Sequence, residues 1–295
     1  MPSSLISLGA NLGNVQEAMQ AARRLLVDSF GQHNVRVSNI YRTPPVGGPS
    51  GQGDFLNAVA AIETDLSVWD VWESIKKIET TLGRQRQLRW EARRIDIDLL
   101  LYGDSRVWTP HLKVPHPRMC MRTFVIKPAL DVAPNWVETI TGWTISQLAE
   151  HLHSCQNEKA IIRVLAESKG HLAQLRDAFD TTEAPSTTIQ WGIGDPRKES
   201  IDWIEDGQIE RNQTFVALTI AAVRSPDPDT VLWEDFSSPW VRWMGLASSS
   251  TSPNIARTQW TGPRYLLPID NLQWAVHEIL SAREAMRCEI ERLAL

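Results

Sequence analysis

The run from Arg84 to Leu101, RQRQLRWEARRIDIDLLL, places five arginines directly before a segment in which Ile95, Ile97 and Leu99 alternate with Asp96 and Asp98. A period of two is the signature of a strand with one buried face, so both carboxylates project from the same side. Two rises of roughly 3.3 Å put their Cα atoms about 6.5–7 Å apart. Like charges that close repel unless something positive lies between them, and Mg²⁺, a hard cation bound by carboxylate and phosphate oxygens, fits that need. The arginines supply complementary donors for phosphate oxygens. Alternating Asp on a half-exposed strand is by itself ordinary surface. With Arg84, Arg86, Arg89 and Arg93 immediately upstream and Trp90 among them, the stretch reads as a site for a polyphosphate and its metal.

Around this segment the periodicities predict an ordered series of elements. Leu5 to Gly9 reads as a short buried strand closed by a glycine turn, and Val15 to Phe30 carries apolar residues at helical spacing. Val35 to Thr43 is strand-like and stops at Pro44-Pro45, and Phe55 to Thr64 is a further strand. Val68 to Leu82 follows as a helix with Gly83 as its C-cap, and Ile95 to Tyr102 is the last strand. The order β-α-β-β-α-β predicts a ferredoxin-like α+β domain, an antiparallel sheet with helices on one face.

Four collinear segments resemble the 6-hydroxymethyl-7,8-dihydropterin pyrophosphokinase family over residues 4 to about 135. They are Ser7-Leu-Gly-Ala-Asn-Leu-Gly13, Tyr41-Arg-Thr-Pro-Pro-Val-Gly47 with Asp54-Phe-Leu-Asn-Ala-Val59, Glu79 to Gly103, and Val114-Pro-His-Pro-Arg-Met119 with Arg122 and Phe124. Glu91-Ala92 departs from the Gly-Pro usual after the tryptophan, and Gly53 stands where proline is common.

The resemblance implies transfer of the diphosphate of ATP, the co-substrate, to the hydroxymethyl group of the dihydropterin, with AMP released. It implies two Mg²⁺ ions on Asp96 and Asp98, with Arg84 and Arg93 stabilising charge in transit. Nucleotide contacts fall on Arg84, Arg86, Arg89, Trp90, Arg93, His116 and Arg122. The pterin falls to Phe55 and Phe124 as a sandwich, to Asn57 as the reader of its edge, and to Thr43, Pro44 and Val46 in the adjoining loop. The alternative is a catalytically silent regulatory protein that binds a pterin or nucleotide. The retained aspartate pair argues against it, because a silent relative has no need of so costly a site.

A chain of 295 residues has room for two domains, and the expected division is a pyrophosphokinase domain over 1–160, a linker over 161–187 and an accessory α/β domain over 188–295. The boundary rests on the acidic, Thr-rich, proline-marked stretch from Asp177 to Thr187. Strands are expected at Thr188 to Ile193, Phe215 to Val223, Thr230 to Glu234 and Tyr265 to Ile269, then an amphipathic helix from Leu272 to Leu293. That helix suggests a homo-oligomer formed through the distal domain. No phosphate-binding G-x-x-x-x-G-K-[ST] occurs there, and no second catalytic constellation is visible.

The net charge of −5 argues against nucleic-acid binding, which wants a basic surface. Three cysteines without C-x-x-C spacing argue against a disulfide framework or a structural zinc site. No window approaches the roughly 20 apolar residues of a membrane span, and no secretory signal is visible. Together these point to the cytoplasm.

Overall fold

The computed structural model describes residues 3–47, 51–83, 94–109, 111–156, 160–166, 168–182, 189–194, 202–203, 215–223 and 262–294. The chain divides into two compact units, one of Met1–Val107, Leu112–Ala149 and Arg287–Leu295, the other of Trp108–His111 and Glu150–Met286.

The first unit opens with β1 (Ser3–Ala10), α1 (Val15–Phe30), β2 (Val35–Val37), β3 (Tyr41–Thr43), β4 (Phe55–Glu63), α2 (Val68–Thr81) and β5 (Asp96–Tyr102). A short ribbon of β6 (Val107–Trp108) and β7 (Lys113–Val114) follows. Next come α3 (Thr123–Leu130), the hairpin of β8 (Val137–Glu138) and β9 (Trp143–Thr144), and α4 (Ile145–Ser154), which belongs to this unit up to Ala149 and to the second from Glu150. The main sheet runs β15-β3-β4-β1-β5, with β2 also on β4 and β15 (Glu291–Arg292) arriving from the far end of the chain. Pairing is antiparallel throughout, which is the expected ferredoxin-like order extended by one edge strand.

Local chemistry sets the helices. In α1 the Asn14 side chain accepts from the Glu17 N–H, and Met19, Ala22, Leu26 and Phe30 fall on one buried stripe. Gly31, at φ +88°, ends it. A reciprocal capping box between Ser67 and Asp70 starts α2, whose inward face carries Val71, Ile75 and Ile78. These two stripes pack against Ile6, Leu8, Leu56, Ala58, Ile97 and Leu99 of the sheet. Full burial of a side chain such as Leu26 or Ile75 contributes about 1.5–3 kcal/mol.

The opposite face of the sheet, carrying Ser7, Gly9, Asn57, Asp96 and Asp98, is where α3 approaches β3 and β4. Helices therefore flank both faces, rather than one. The single strand expected over Val35 to Thr43 is split: the Ser38 hydroxyl accepts the Val59 N–H, and Asn39 turns its backbone and side-chain N–H groups to Asp131. These polar side chains compete with the ladder and break the strand in two.

In the second unit β10 (Ala160–Ala166), α5 (Lys169–Thr182), β11 (Ile189–Ile193), β12 (Asp202–Trp203), β13 (Phe215–Val223), β14 (Arg264–Pro268) and α6 (Leu272–Arg287) build a sheet of order β12-β11-β10-β13-β14. All its pairings are parallel except that of β12. Of the stretch expected as linker, 161–187, residues 161–166 belong instead to the central strand β10 and residues 169–182 are the helix α5. The run AIIRVLA is almost wholly buried, as a central parallel strand requires. Thr230 to Glu234 lies outside the described residues.

The final helix stops at Arg287, short of the expected Leu293, because the residues that follow join the first unit's sheet as β15. Its apolar face is spent within the chain: Ala275, Val276, Ile279, Ala282 and Met286 are all buried. No helix among the described residues is long and apolar enough to cross a membrane.

Candidate active site

β5 delivers Asp96 and Asp98 to one face while Ile97 and Leu99 are buried on the other, as the alternation predicts. Register places Asp96 opposite Gly9 and Asp98 opposite Ser7 on β1. The Asp98 side chain is 36% exposed, and its Oδ2 lies 3.8 Å from His116 Nε2 and 3.9 Å from an Arg122 Nη. A paired-carboxylate edge thus meets cationic and imidazole groups from a different stretch of chain.

His116 follows a cis Val114–Pro115 peptide, and its backbone N–H donates to the Leu100 carbonyl at 2.9 Å, fastening this segment to β5. Its Nδ1 accepts the Arg118 N–H at 3.2 Å, so in the neutral ring the proton resides on Nε2, which faces Asp98. Burial, reinforced by the positive charges of Arg122 and Arg118 and opposed by Asp96, holds the imidazole well below its ordinary pKa. At neutral pH His116 is an uncharged donor. Arg122 also lies over Phe124, its guanidinium carbon 5.5 Å from the ring centroid, and so links the carboxylate edge to an aromatic residue on α3.

β3 and β4 form the other half of the site. Tyr41 pairs with Asn57 and Thr43 with Phe55. Asn57 is buried, and its Nδ2 donates to Thr43 Oγ1 at 2.9 Å. Its Oδ1 would lie 3.5 Å from a Cβ placed on Gly9, so the amide rests beside a bare stretch of β1. Phe55 and Phe124 are half-buried, Val46 is half-buried and Pro44 is exposed. Asn11, just after β1, donates to Gln52 at 3.2 Å and ties the loop before β4 to this end of the sheet.

The fold therefore brings Asp98, His116 and Arg122 together, adds Phe124 through Arg122, and pairs Thr43 with Asn57. Arg84, Arg86, Arg89, Trp90 and Arg93 lie outside the described residues. Glu79 was given no part in the site by its sequence. It is buried on α2, and its Oε1 accepts the Ile97 N–H at 2.9 Å, between the two aspartates. The available signal was an acidic residue one helical turn beyond Ile75 on an apolar stripe.

A sheet of this topology, with paired carboxylates, a neutral imidazole and an arginine at one end, is a ferredoxin-like α+β architecture whose site suits a polyanion. The sequence profile of the family described as 7,8-dihydro-6-hydroxymethylpterin-pyrophosphokinase matches residues 5–134. The 2-amino-4-hydroxy-6-hydroxymethyldihydropteridine pyrophosphokinase of Haemophilus influenzae is 36% identical over 154 residues, 51% of this chain and 96% of that protein. Its counterpart from Pseudomonas aeruginosa is 40% identical over 44% of this chain and 80% of its own length. That of Bacillus subtilis is 33% identical over 56% of this chain and 91% of its own length. The chain belongs to the 6-hydroxymethyl-7,8-dihydropterin pyrophosphokinase family and is a pyrophosphokinase.

Proposed function

We propose that the first unit carries out the family reaction, pyrophosphoryl transfer from ATP to 6-hydroxymethyl-7,8-dihydropterin in folate synthesis, at the face shared by β1, β4 and β5. The observation that carries this assignment is the Asp98–His116–Arg122 cluster standing on the same sheet face as Asn57. No observation favours a silent regulatory protein.

Asp96 and Asp98 would hold Mg²⁺. Two carboxylates at alternate strand positions, one of them 36% exposed, suit an ion that takes one or two protein carboxylates and completes its shell with water and phosphate oxygens. When bound, the ion neutralises polyphosphate charge and lowers the cost of ionising the pterin hydroxyl. Arg122 and the Nε2–H of neutral His116, both beside Asp98, would donate to entering phosphate oxygens. Arg84, Arg86, Arg89, Trp90 and Arg93 are assigned to the nucleotide by family likeness.

On the other side Asn57, pinned through Thr43, offers an amide acceptor and a remaining N–H to the donor-acceptor edge of a pterin. Phe55 and Phe124 supply aromatic faces, and the turn of Pro44 and Val46 closes the edge. Replacing Asn57 with Ala is expected to raise the KM for pterin and spare that for ATP. Equal loss of both would overturn the edge-reading role.

The second unit is assigned an accessory part in the same chain. Among its described residues no group of three or more His, Cys, Asp or Glu side chains is suited to a metal. The cytoplasm is the proposed location, in keeping with Cys120, Cys155 and Cys288 standing as thiols outside any disulfide.

A further inference from the structure

The pterin half of the site rests on one of the sheet's short strands. β3 has only three residues, pairs with β4 through Tyr41, Arg42 and Thr43, and leads straight into the Pro44–Val46 turn. A strand so short, with its outer edge unpaired, is marginal and open to adventitious pairing. Here that edge is occupied by the last residues of the chain.

β15 pairs with β3, Glu291 opposite Arg42 and Arg292 opposite Tyr41. The Leu293 N–H donates to the Ile40 carbonyl at 2.9 Å, and Arg42 Nε and an Nη both donate to Glu291 Oε2 at 3.1 and 2.7 Å. The Leu293 side chain packs against the core beneath α1 and α2. Apart from Trp108–His111, the second unit is therefore an insertion between Ala149 and Arg287 of the first, and not an appendage at its end.

We propose that residues 287–294 are a positioning element of the pterin site: by completing β3 they fix Thr43, which in turn orients Asn57. Asp98, His116 and Arg122 depend on β5 and the segment after it, separated from β3 by β4 and β1, so the effect falls on pterin rather than on ATP. The inference rests on the assignment of Asn57 and Thr43 to the pterin. Its residues touch neither substrate.

Steady-state kinetics of the full-length protein with each substrate varied test it. Leu293→Pro removes the N–H that bonds Ile40 and is expected to raise the KM for pterin about fivefold, the worth of one net hydrogen bond, with the KM for ATP unchanged. Glu291→Ala is expected to raise it about twofold, since exposed ion pairs contribute little. The exchange Arg42→Glu with Glu291→Arg should restore the wild-type value. Arg36→Ala, which breaks an exposed ion pair of similar kind with Glu63 on the same sheet, serves as the control and should change neither constant.

Asn57→Ala separates the two layers of the account. If it leaves the pterin KM unchanged, the site assignment fails and the inference with it. If it raises the pterin KM while the tail variants match Arg36→Ala, the positioning role alone is overturned. Parallel rises in both KM values would likewise overturn it. Should Leu293→Pro fail to fold, Glu291→Ala and the charge exchange decide the matter by themselves.

Discussion

Asn57 and Asp96 stand on one cross-strand row of the sheet with only Gly9 between them, since Gly9 pairs with Asn57 on one side and Asp96 on the other. Two strand spacings of roughly 4.8 Å separate their Cα atoms by about 10 Å. The floor between the pterin-facing amide and the first carboxylate is therefore bare backbone. A Cβ at Gly9 would meet Asn57 Oδ1 at 3.5 Å, an ordinary contact, and the φ of Gly9 is not in the left-handed region. Larger side chains would fill the floor. Gly9→Val is expected to fold and to raise the pterin KM about tenfold, the cost of overfilling a packed site by about 1.4 kcal/mol. Wild-type kinetics in that variant would show that substrate does not cross this row.

Glu79 offers a second test. Its carboxylate is buried and accepts the Ile97 N–H, so it fixes the strand between the paired aspartates. Glu79→Ala strands that N–H and is expected to cost about 1–3 kcal/mol in chemical denaturation. Glu79→Gln keeps a carbonyl oxygen in the same place and should recover much of the loss. If the alanine variant is as stable as wild type, the bond does not hold β5.

His151, in the second unit, makes stability depend on pH. Its Nε2 lies 2.8 Å from the Ala217 carbonyl and its ring is packed against Phe215. Burial lowers its pKa, opposed by the bond to Ala217. The unfolded chain takes up a proton near pH 6.5 while the folded one does not, so stability present above about pH 6.5 is lost as pH falls toward the lower folded value. Thermal melts between about pH 7.5 and 5.5 should show this loss, and His151→Gln, which retains a donor for Ala217, should reduce it. An unchanged slope in the variant would assign the loss to other groups.

Much of the first unit was legible from sequence because its elements carry clean periods. The stripe of α1, the capping box of α2 and the alternation through Asp96 and Asp98 each state their own geometry. The second unit was less legible for a physical reason. β10 is buried on both faces, so it lacks the alternation that marks a half-exposed strand, and its uniform apolar run carries no period that tells a strand from a buried helical connection. β15 was invisible because a two-residue strand has no period, and its partner lies 249 residues away in sequence. Glu79 received no role of its own, because its place on an apolar stripe signals burial but not the N–H that its carboxylate accepts.

Replacement of either aspartate addresses the assigned metal site. Asp96→Ala and Asp98→Ala should each lower turnover about a thousandfold, a loss of several kcal/mol in transition-state stabilisation, while leaving the melting temperature close to that of the wild type. Titration of Mg²⁺ with ATP present should show weaker dependence on the ion in both. Near-normal rates in either variant would remove that carboxylate from the site.

The most direct measurement is AMP formation by the purified full-length protein with ATP, Mg²⁺ and 6-hydroxymethyl-7,8-dihydropterin, run beside Asp98→Ala. AMP that appears only when pterin is present, and is lost in the variant, is the predicted result. Pterin-independent AMP, or equal AMP from the variant, would contradict the placement of the reaction at the Asp98–His116–Arg122 cluster.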